Sequence, residues 1–135
     1  MKKILLSGAI ALLTALGLNA QDFRLVYSGE PIPQAALPIL EQRISQMLAA
    51  EDMGLTQEED APALEVSAKV TSRMETPGSM SQVAITLDLS LSSGEVSEVF
   101  PLKGVGADEA DAWTRAFKML LPRSKAASTF VLKLK

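Results

Sequence analysis

The chain has no cysteine and no histidine among its 135 residues. Without cysteine it can form no disulfide, so packing and hydrogen bonds alone must stabilise an exported domain. Without histidine it lacks Ser-His-Asp and Cys-His catalytic systems and the ligand found in nearly all zinc sites. No Ser-x-x-Lys motif for Ser-Lys catalysis occurs. Hydrolysis by a pair of carboxylates is compatible with the sequence, because the two residues need not be close along the chain. We therefore expect no enzyme, no catalytic residue, no metal and no cofactor.

The only long apolar run lies at the start of the chain, at residues 4–18. It follows Lys2 and Lys3 and is succeeded by Ala20 and by the polar pair Gln21-Asp22. This three-part pattern predicts a cleaved signal peptide over residues 1–20 and a single domain over residues 21–135. Cleavage after Gly17 and an uncleaved anchor are alternatives, although the run is short of the roughly 20 apolar residues of a membrane span.

The leader predicts a periplasmic or secreted protein. Because no cysteine stands at the cleavage site, we expect an exported protein that is not a lipoprotein. The mature chain keeps 11 basic and 16 acidic residues, a net charge of −5. With this total, the chain has no excess of basic residues that would attract nucleic acid or anionic lipid.

Apolar spacing predicts the secondary structure. Alternating apolar residues predict strands near residues 23–27, 63–74, 81–91, 96–104 and 128–135. Helical spacing predicts one helix from Pro38 and a second from Asp108 to the residue before Pro122. Trp113 lies on the apolar face of the second helix, where we expect it to be buried.

The predicted order is β-α-β-β-β-α-β. Each long strand has one apolar face, so one face of the sheet is expected to be buried and the other solvated. The fold class is α+β: a two-layer sandwich with a mixed sheet and both helices on one face. The central hairpin is expected to place Val70 opposite Ile85. Broken alternation in the following strand predicts a β-bulge near residues 97–99.

The stretch "KGVGADEADAWTRAF" has the layout of a phosphate-binding loop, with Gly104 and Gly106 between a strand and a helix. Glu109 occupies the third position at which a dinucleotide loop needs glycine, and acidic residues at the helix start would repel phosphate. We therefore expect no nucleotide. The glycines are predicted to form a flexible turn, and Asp108 is predicted to cap the helix, with Asp111 at the third position beyond it.

The same stretch carries a resemblance. A strand ending in "PLKGVG", the helix "ADEADAWTRAFKML" and a final strand resemble bacterial envelope domains. These are the periplasmic domain of the curli secretion channel, the TolB amino-terminal domain and flagellar-assembly domains. The resemblance implies a non-catalytic domain that docks onto other envelope proteins, and it carries over no catalytic residue.

The function predicted from these features is an exported, non-catalytic interaction module of the bacterial cell envelope that docks onto an envelope or secreted protein. The alternatives are a secreted enzyme inhibitor of cystatin-like shape and a carrier of a small apolar ligand, the latter suggested by the six methionines. The first and last strands are the candidate sheet edges. Lys133 and Lys135 place charges on the last strand, and such charges discourage pairing with another strand. A partner strand is therefore expected beside Arg24, Leu25, Val26 and Tyr27.

Overall fold

The structure is a computed structural model that describes residues 21–78 and 80–135. The predicted signal peptide, residues 1–20, lies outside this range. The elements in chain order are β1 (Asp22–Gly29), a 3-10 turn (Gln34–Ala36), α1 (Leu37–Ala49), β2 (Gly54–Leu55), β3 (Ala63–Thr76), β4 (Gln82–Ser93), β5 (Val96–Gly106), α2 (Glu109–Lys118) and α3 (Lys125–Leu134).

The described strands form one sheet in the order β2-β1-β3-β4-β5. β1 is parallel to both of its neighbours, whereas β3, β4 and β5 form antiparallel hairpins. The parallel pairs arise because α1 lies between β1 and the strands that flank it, as in a βαβ crossover. The predicted α+β class and the mixed sheet are confirmed.

The core lies between the helices and one face of the sheet. Alternate residues of β3, β4 and β5 point toward the helices and are buried, and buried residues of all three helices join them in one cluster. Trp113 is 2% exposed and its ring meets Phe117 edge to face, with ring centroids 5.7 Å apart. Trp113 is therefore a core residue, as predicted.

Helix α1 ends in a Schellman motif. Asp52 has a φ of 61°, and the backbone N–H groups of Met53 and Asp52 donate to the carbonyls of Leu48 and Ala49 at 3.0 and 3.1 Å. Met53 and Leu48 are both buried, which is the apolar contact that usually accompanies this ending. The motif turns the chain directly into β2.

The predicted last strand is wrong, because residues 125–134 form helix α3. Phe130, Leu132 and Leu134 alternate, but the buried positions are Ala127, Phe130 and Val131, with Leu134 partly buried. These spacings of three and four residues belong to a helix. The Ser124 hydroxyl accepts a hydrogen bond from the Ala127 N–H at 3.2 Å and caps its start. The element order that underlies the resemblance to envelope domains therefore differs here.

Two strand details also differ from expectation. Val70 pairs with Leu87 rather than Ile85, a shift of two residues that keeps the same side chains inward. The sheet's irregularity lies in β3, between Val70 and Ser72, whereas the β4–β5 pairing is continuous through Val99. No bulge therefore occurs at residues 97–99. Without one, Val99 points away from the helices and is 50% exposed.

The methionines that suggested a carrier of a small apolar ligand lie in different parts of the fold. Met47 and Met53 are buried in the core, whereas Met74, Met80 and Met119 are exposed. The described methionines therefore do not share one environment, as residues around a common apolar ligand would.

Candidate functional site

The outer side of β1 is open beyond its first two residues. β2 pairs only with Asp22 and Phe23, through contacts that include a 2.8 Å hydrogen bond from the Thr56 N–H to the Phe23 carbonyl. The prediction that β1 is the outermost strand is therefore wrong at its start, where β2 lies outside it. In the described part of the chain, no strand pairs with the remainder of β1 on that side.

Backbone alternation identifies the groups that face outward. The N–H groups of Arg24 and Glu30 donate toward β3, to Pro62 and Ala68, at 2.9 and 3.1 Å. Alternate residues of a strand direct their N–H and C=O groups to opposite sides. Leu25 and Tyr27 therefore direct theirs away from β3, past the end of β2. Two outward N–H groups and two outward carbonyls form a short unpaired edge.

This edge lies in a groove made of two neighbouring hollows, which we name the β1 groove. The first has a volume of about 440 Å³ and the second about 260 Å³, and Tyr27 lines both. The first lies between β1, α1 and the segment that follows β2; it is lined by Arg24, Leu25, Tyr27, Glu41, Leu55, Thr56 and Gln57. The second extends along Gly29 and Glu30 toward Leu37. The groove thus follows the open part of β1.

Tyr27 is fixed across the groove by a hydrogen bond to helix α1. Its hydroxyl donates to the Glu41 carboxylate at 2.9 Å. Partial burial, followed by this carboxylate, raises the pKa of Tyr27 well above its ordinary value. The phenol therefore stays protonated over the physiological range and acts as a hydrogen-bond donor. A nucleophilic or general-base tyrosine would need the opposite shift.

Arg24 provides the positive charge of the groove. Its side chain is half-buried, and its Nε has no hydrogen-bond partner among residues 21–78 and 80–135. Arg24 lines the first hollow together with Leu55, Thr56 and Gln57. The acidic residues of the groove are Glu41 in the first hollow and Glu30 in the second, where the Glu30 carboxylate accepts a hydrogen bond from the Val70 N–H at 2.7 Å.

The four predicted edge residues divide between two roles. Arg24, Leu25 and Tyr27 line the groove, but Val26 directs its N–H toward β3 and does not line it. Sequence patterning missed Glu41, Thr56 and Gln57. Glu41 is exposed on the helix, and no periodicity in the sequence relates it to Tyr27.

The Gly-x-Gly pair has a packing role. Both glycines lie in β5 and point toward α2, so the predicted turn is wrong. A Cβ on Gly104 would collide with the Ala112 carbonyl oxygen and the Ala116 nitrogen, and one on Gly106 would lie 2.6 Å from the Ala112 nitrogen. Helix α2 therefore occupies the space into which a phosphate would have to fit.

The predicted cap of α2 is confirmed. The Asp111 N–H donates to Asp108 Oδ1 at 2.8 Å, and the Ala107 N–H donates to Asp111 Oδ2 at 3.0 Å. The two carboxylates thereby satisfy donors at the helix start in the manner of a capping box. They also place negative charge where a phosphate would lie.

The part of the chain that the structure describes contains no group of three or more acidic side chains arranged to hold a metal ion. None of the helices formed by residues 21–78 and 80–135 has the length and apolarity to span a bilayer.

Comparison with known proteins gives no family. No family model matches the chain, and no curated protein matches it. A minor lipoprotein from Acinetobacter baumannii is similar in structure, with a TM-score of 0.39, 12% identity, and coverage of 84% of this chain and 88% of that one. A hypothetical protein from Chlamydia trachomatis has a TM-score of 0.32, 10% identity, and coverage of 86% and 94%. The function is therefore inferred from the geometry of the chain itself.

Proposed function

We propose that the chain is an exported, non-catalytic interaction module of the bacterial cell envelope that docks onto another envelope or secreted protein. The observation that carries the proposal is the unpaired edge of β1 at the floor of the β1 groove. An extended segment of the partner adds to this edge as a further strand. Backbone hydrogen bonds then provide affinity and the groove side chains provide specificity.

The dimensions of the edge suit a short peptide strand. Residues 25–29 lie beyond β2, and five strand residues span about 16 Å. Leu25 and Tyr27 offer outward backbone groups in strand geometry. Gly29, with a φ of 81°, ends the strand and limits the length of the added segment. A segment of about five residues would therefore fill the open edge.

The side chains around the edge support binding rather than reaction. The chain has no histidine or cysteine, and Tyr27 stays protonated. Arg24 and Glu41 provide opposite charges on the two sides of the groove, which favours a segment with charges in the complementary order.

Export is supported by the sequence of residues 1–20, and the absence of cysteine supports a form without a thioether-linked lipid. The resemblance to envelope docking domains belongs to the same proposal. N-terminal sequencing of the exported protein should find Gln21 or a residue close to it first. A membrane-embedded form that retains Met1 would contradict the signal peptide.

Proline substitution tests the edge mechanism directly. Leu25→Pro removes one outward N–H and leaves the bonds to β3, since Arg24, the residue before it, is already extended. Leu25→Ala is the matched control, because it shortens the side chain and keeps the N–H. We expect Leu25→Pro to lose the partner and Leu25→Ala to keep it. Val26→Pro is unsuitable, because it would break the pairing with β3.

A photoreactive p-benzoylphenylalanine in place of Tyr27 identifies the partner in whole cells. The same group in place of Met74, which is 68% exposed on the β3–β4 hairpin, is the control. The proposal predicts a discrete crosslinked protein from position 27 that Leu25→Pro abolishes. Circular dichroism must show that Leu25→Pro is folded. Undiminished crosslinking by the folded variant would exclude strand addition at this edge.

A further inference from the structure

The charges of the mature chain are strongly segregated. Residues 21–98 contain thirteen acidic and four basic residues, whereas residues 112–135 contain six basic residues and no acidic one. The second segment comprises most of α2, the turn that follows it, and α3. The net charge of −5 therefore conceals a basic surface at the C-terminal end of the fold.

Most of these cations have no counter-ion. Arg115 pairs with Asp111 at 3.2 Å and Lys135 pairs with Glu51 at 3.0 Å. The other four are Lys118, Arg123, Lys125 and Lys133, and all are exposed. None of these four forms an ion pair with any acidic side chain in residues 21–78 and 80–135.

Exposed apolar side chains lie among the unpaired cations. Met119 is 57% exposed, Leu121 is 54% exposed and Leu132 is 55% exposed. The α2–α3 turn, residues 118–125, therefore exposes three cations, Lys118, Arg123 and Lys125, and two large apolar side chains, Met119 and Leu121. Neighbouring exposed apolar side chains with a polar rim are typical of interaction surfaces.

Cavities on both sides of Leu121 show that this surface is continuous in space. A hollow of about 170 Å³ is lined by Leu121, Met119 and Val99 of β5. A larger hollow, of about 770 Å³, is lined by Leu121, Arg123 and the C-terminal end of α1. The Val99 side chain points to the other face of the sheet and is not part of this surface, whereas its neighbour Glu98 pairs with the buried Leu91 and so lies on the helix side.

Helix α3 extends the same surface. Lys125 and Leu132 are seven residues apart, so they lie on one stripe of the helix, with Thr129 between them. The opposite stripe, Ala127, Phe130 and Val131, is buried in the core. Helix α3 thus presents cations and one leucine outward while its other side is fixed to the fold.

We propose that the α2–α3 turn, with the outer stripe of α3, binds the surface of a lipid bilayer rich in anionic headgroups. Lys118, Arg123, Lys125 and Lys133 lie at the level of the headgroup phosphates. Met119 and Leu121 enter the boundary between headgroups and acyl chains. Electrostatic attraction combined with a few inserted apolar side chains is the physical basis of reversible binding to membrane surfaces.

A bilayer fits these observations better than a nucleic acid does. Phosphate contacts alone would use the cations and leave Met119 and Leu121 exposed to water. The described surface in this region also has no aromatic side chain on which a base could stack, since Trp113, Phe117 and Phe130 are buried. The apolar members of the surface therefore select the lipid.

The position of this surface is compatible with strand addition at β1. β5 and β1 are three strand spacings apart in the sheet, about 14 Å. A molecule attached to a bilayer through the α2–α3 turn would leave the β1 groove free for a protein partner. The lipid proposal does not depend on the strand-addition proposal.

Vesicle co-sedimentation of the purified protein tests the inference. Vesicles of phosphatidylglycerol and phosphatidylcholine in equal parts should bind the protein, and pure phosphatidylcholine should bind it at least tenfold less. Raising sodium chloride from 0.05 to 0.5 M should release it, because salt screens exposed charges. A leader peptide that had not been removed would bind both vesicles alike and would be recognised by that result.

Matched variants locate the binding surface. Lys125→Gln should weaken binding about fivefold, the contribution of one cation near an anionic surface. Lys69→Gln makes the same charge change on an exposed position of β3 and should change binding less than twofold. Leu121→Ser should weaken binding about tenfold, in keeping with the transfer of a leucine side chain out of water. Met74→Ser, at the exposed hairpin, is its control.

Three results would overturn the inference. The first is equal binding to the two vesicle types by protein that begins at Gln21. The second is a loss with Lys69→Gln or Met74→Ser as large as the loss with the paired variant. The third is tighter binding of a single-stranded oligonucleotide, with no effect of Leu121→Ser, which would assign the cations to nucleic acid. Glycerol phosphate at millimolar concentration should not compete if the bilayer surface is the ligand.

Discussion

Replacing Gly104 by alanine tests the contact on which the packing of α2 depends. A Cβ there would overlap the Ala112 carbonyl oxygen and the Ala116 nitrogen, and it would lie 3.0 Å from the Ala116 Cα. All three are helix backbone atoms, so no rotamer change relieves the overlap. Carbon contacts are optimal at about 3.5–4.0 Å, so α2 would have to withdraw from β5 by roughly 1 Å.

The expected loss follows from two opposing effects. Overpacking a well-packed core costs about 1–3 kcal/mol, and contact with helix backbone atoms, which cannot rotate away, places Gly104→Ala at the upper end. Alanine also restricts the unfolded chain, which offsets about 0.4–1 kcal/mol. We therefore expect the free energy of unfolding to fall by about 2 kcal/mol, which corresponds to a Tm lower by about 8 °C.

Urea unfolding followed by fluorescence measures this loss, because Trp113 is the only tryptophan and lies in α2. Gly54→Ala is the control: its Cβ would approach only the exposed Asp22 side chain, at 3.1 Å, and its φ is not positive. We expect that variant to unfold within about 1 kcal/mol of the parent. Equal stability of the Gly104 and Gly54 variants would refute the close-approach argument.

Three further substitutions test the core, the acid response and the C-terminal helix. Trp113→Ala should cost about 3–5 kcal/mol, whereas Trp113→Phe should cost much less, since the indole Nε1 has no hydrogen-bond partner among the described residues; thermal unfolding by circular dichroism distinguishes the two, and similar losses would contradict the packing account. The Ala107 N–H, with Arg115 nearby, lowers the pKa of Asp111 below its ordinary 3.8, so its stabilising effect is complete above about pH 4 and is lost as pH falls through the lowered value. Asp111→Asn should therefore flatten the decline of Tm below pH 4, and an unchanged acid profile would count against this bond. Ser124→Ala should cost about 1 kcal/mol through loss of the α3 cap, while Ser128→Ala, exposed within the same helix, should cost nothing; the reverse order would argue that residue 124 is no cap.

The sequence patterns were most informative where one period dominated. In β3 and β4 the alternation runs through many residues, so the strands, their buried faces and their pairing as a hairpin could be predicted. The exact register could not, because a two-residue shift keeps every side chain on the same face. The bulge after Val70 leaves no signature in residues 70–72, all of which suit a strand.

The C-terminal segment was mispredicted because two periods overlap there. Phe130, Leu132 and Leu134 suit a strand, while Ala127, Phe130 and Val131 suit a helix, and ten residues are too few to separate the two by pattern. Tertiary contact decides: Phe130 packs edge to face on Phe100, with ring centroids 6.4 Å apart. The small size of Ala127 hid its place in the core.

Part of the candidate site was recoverable from sequence and part was not. The parity of Phe100 and Leu102 continues to Gly104 and Gly106, so their inward direction and close approach to a helix could have been predicted. The open edge of β1 could be proposed only in outline, because two-residue β2 has no detectable pattern. The charge segregation was visible in the sequence, but only the fold shows that the cations share a surface with Met119 and Leu121.

The pairing of β1 has a consequence for the order in which the chain can fold. The hairpins β3–β4 and β4–β5 join neighbours in sequence, whereas β1 pairs with residues 63–68, about forty positions later. Long-range pairing of this kind requires closure of a long loop and forms slowly. A chain that crosses a membrane from its N-terminal end delivers β1 first and its partner strand much later. During that interval both sides of β1 lack a strand, so β1 stays an unpaired extended segment until residues 63–68 have followed it.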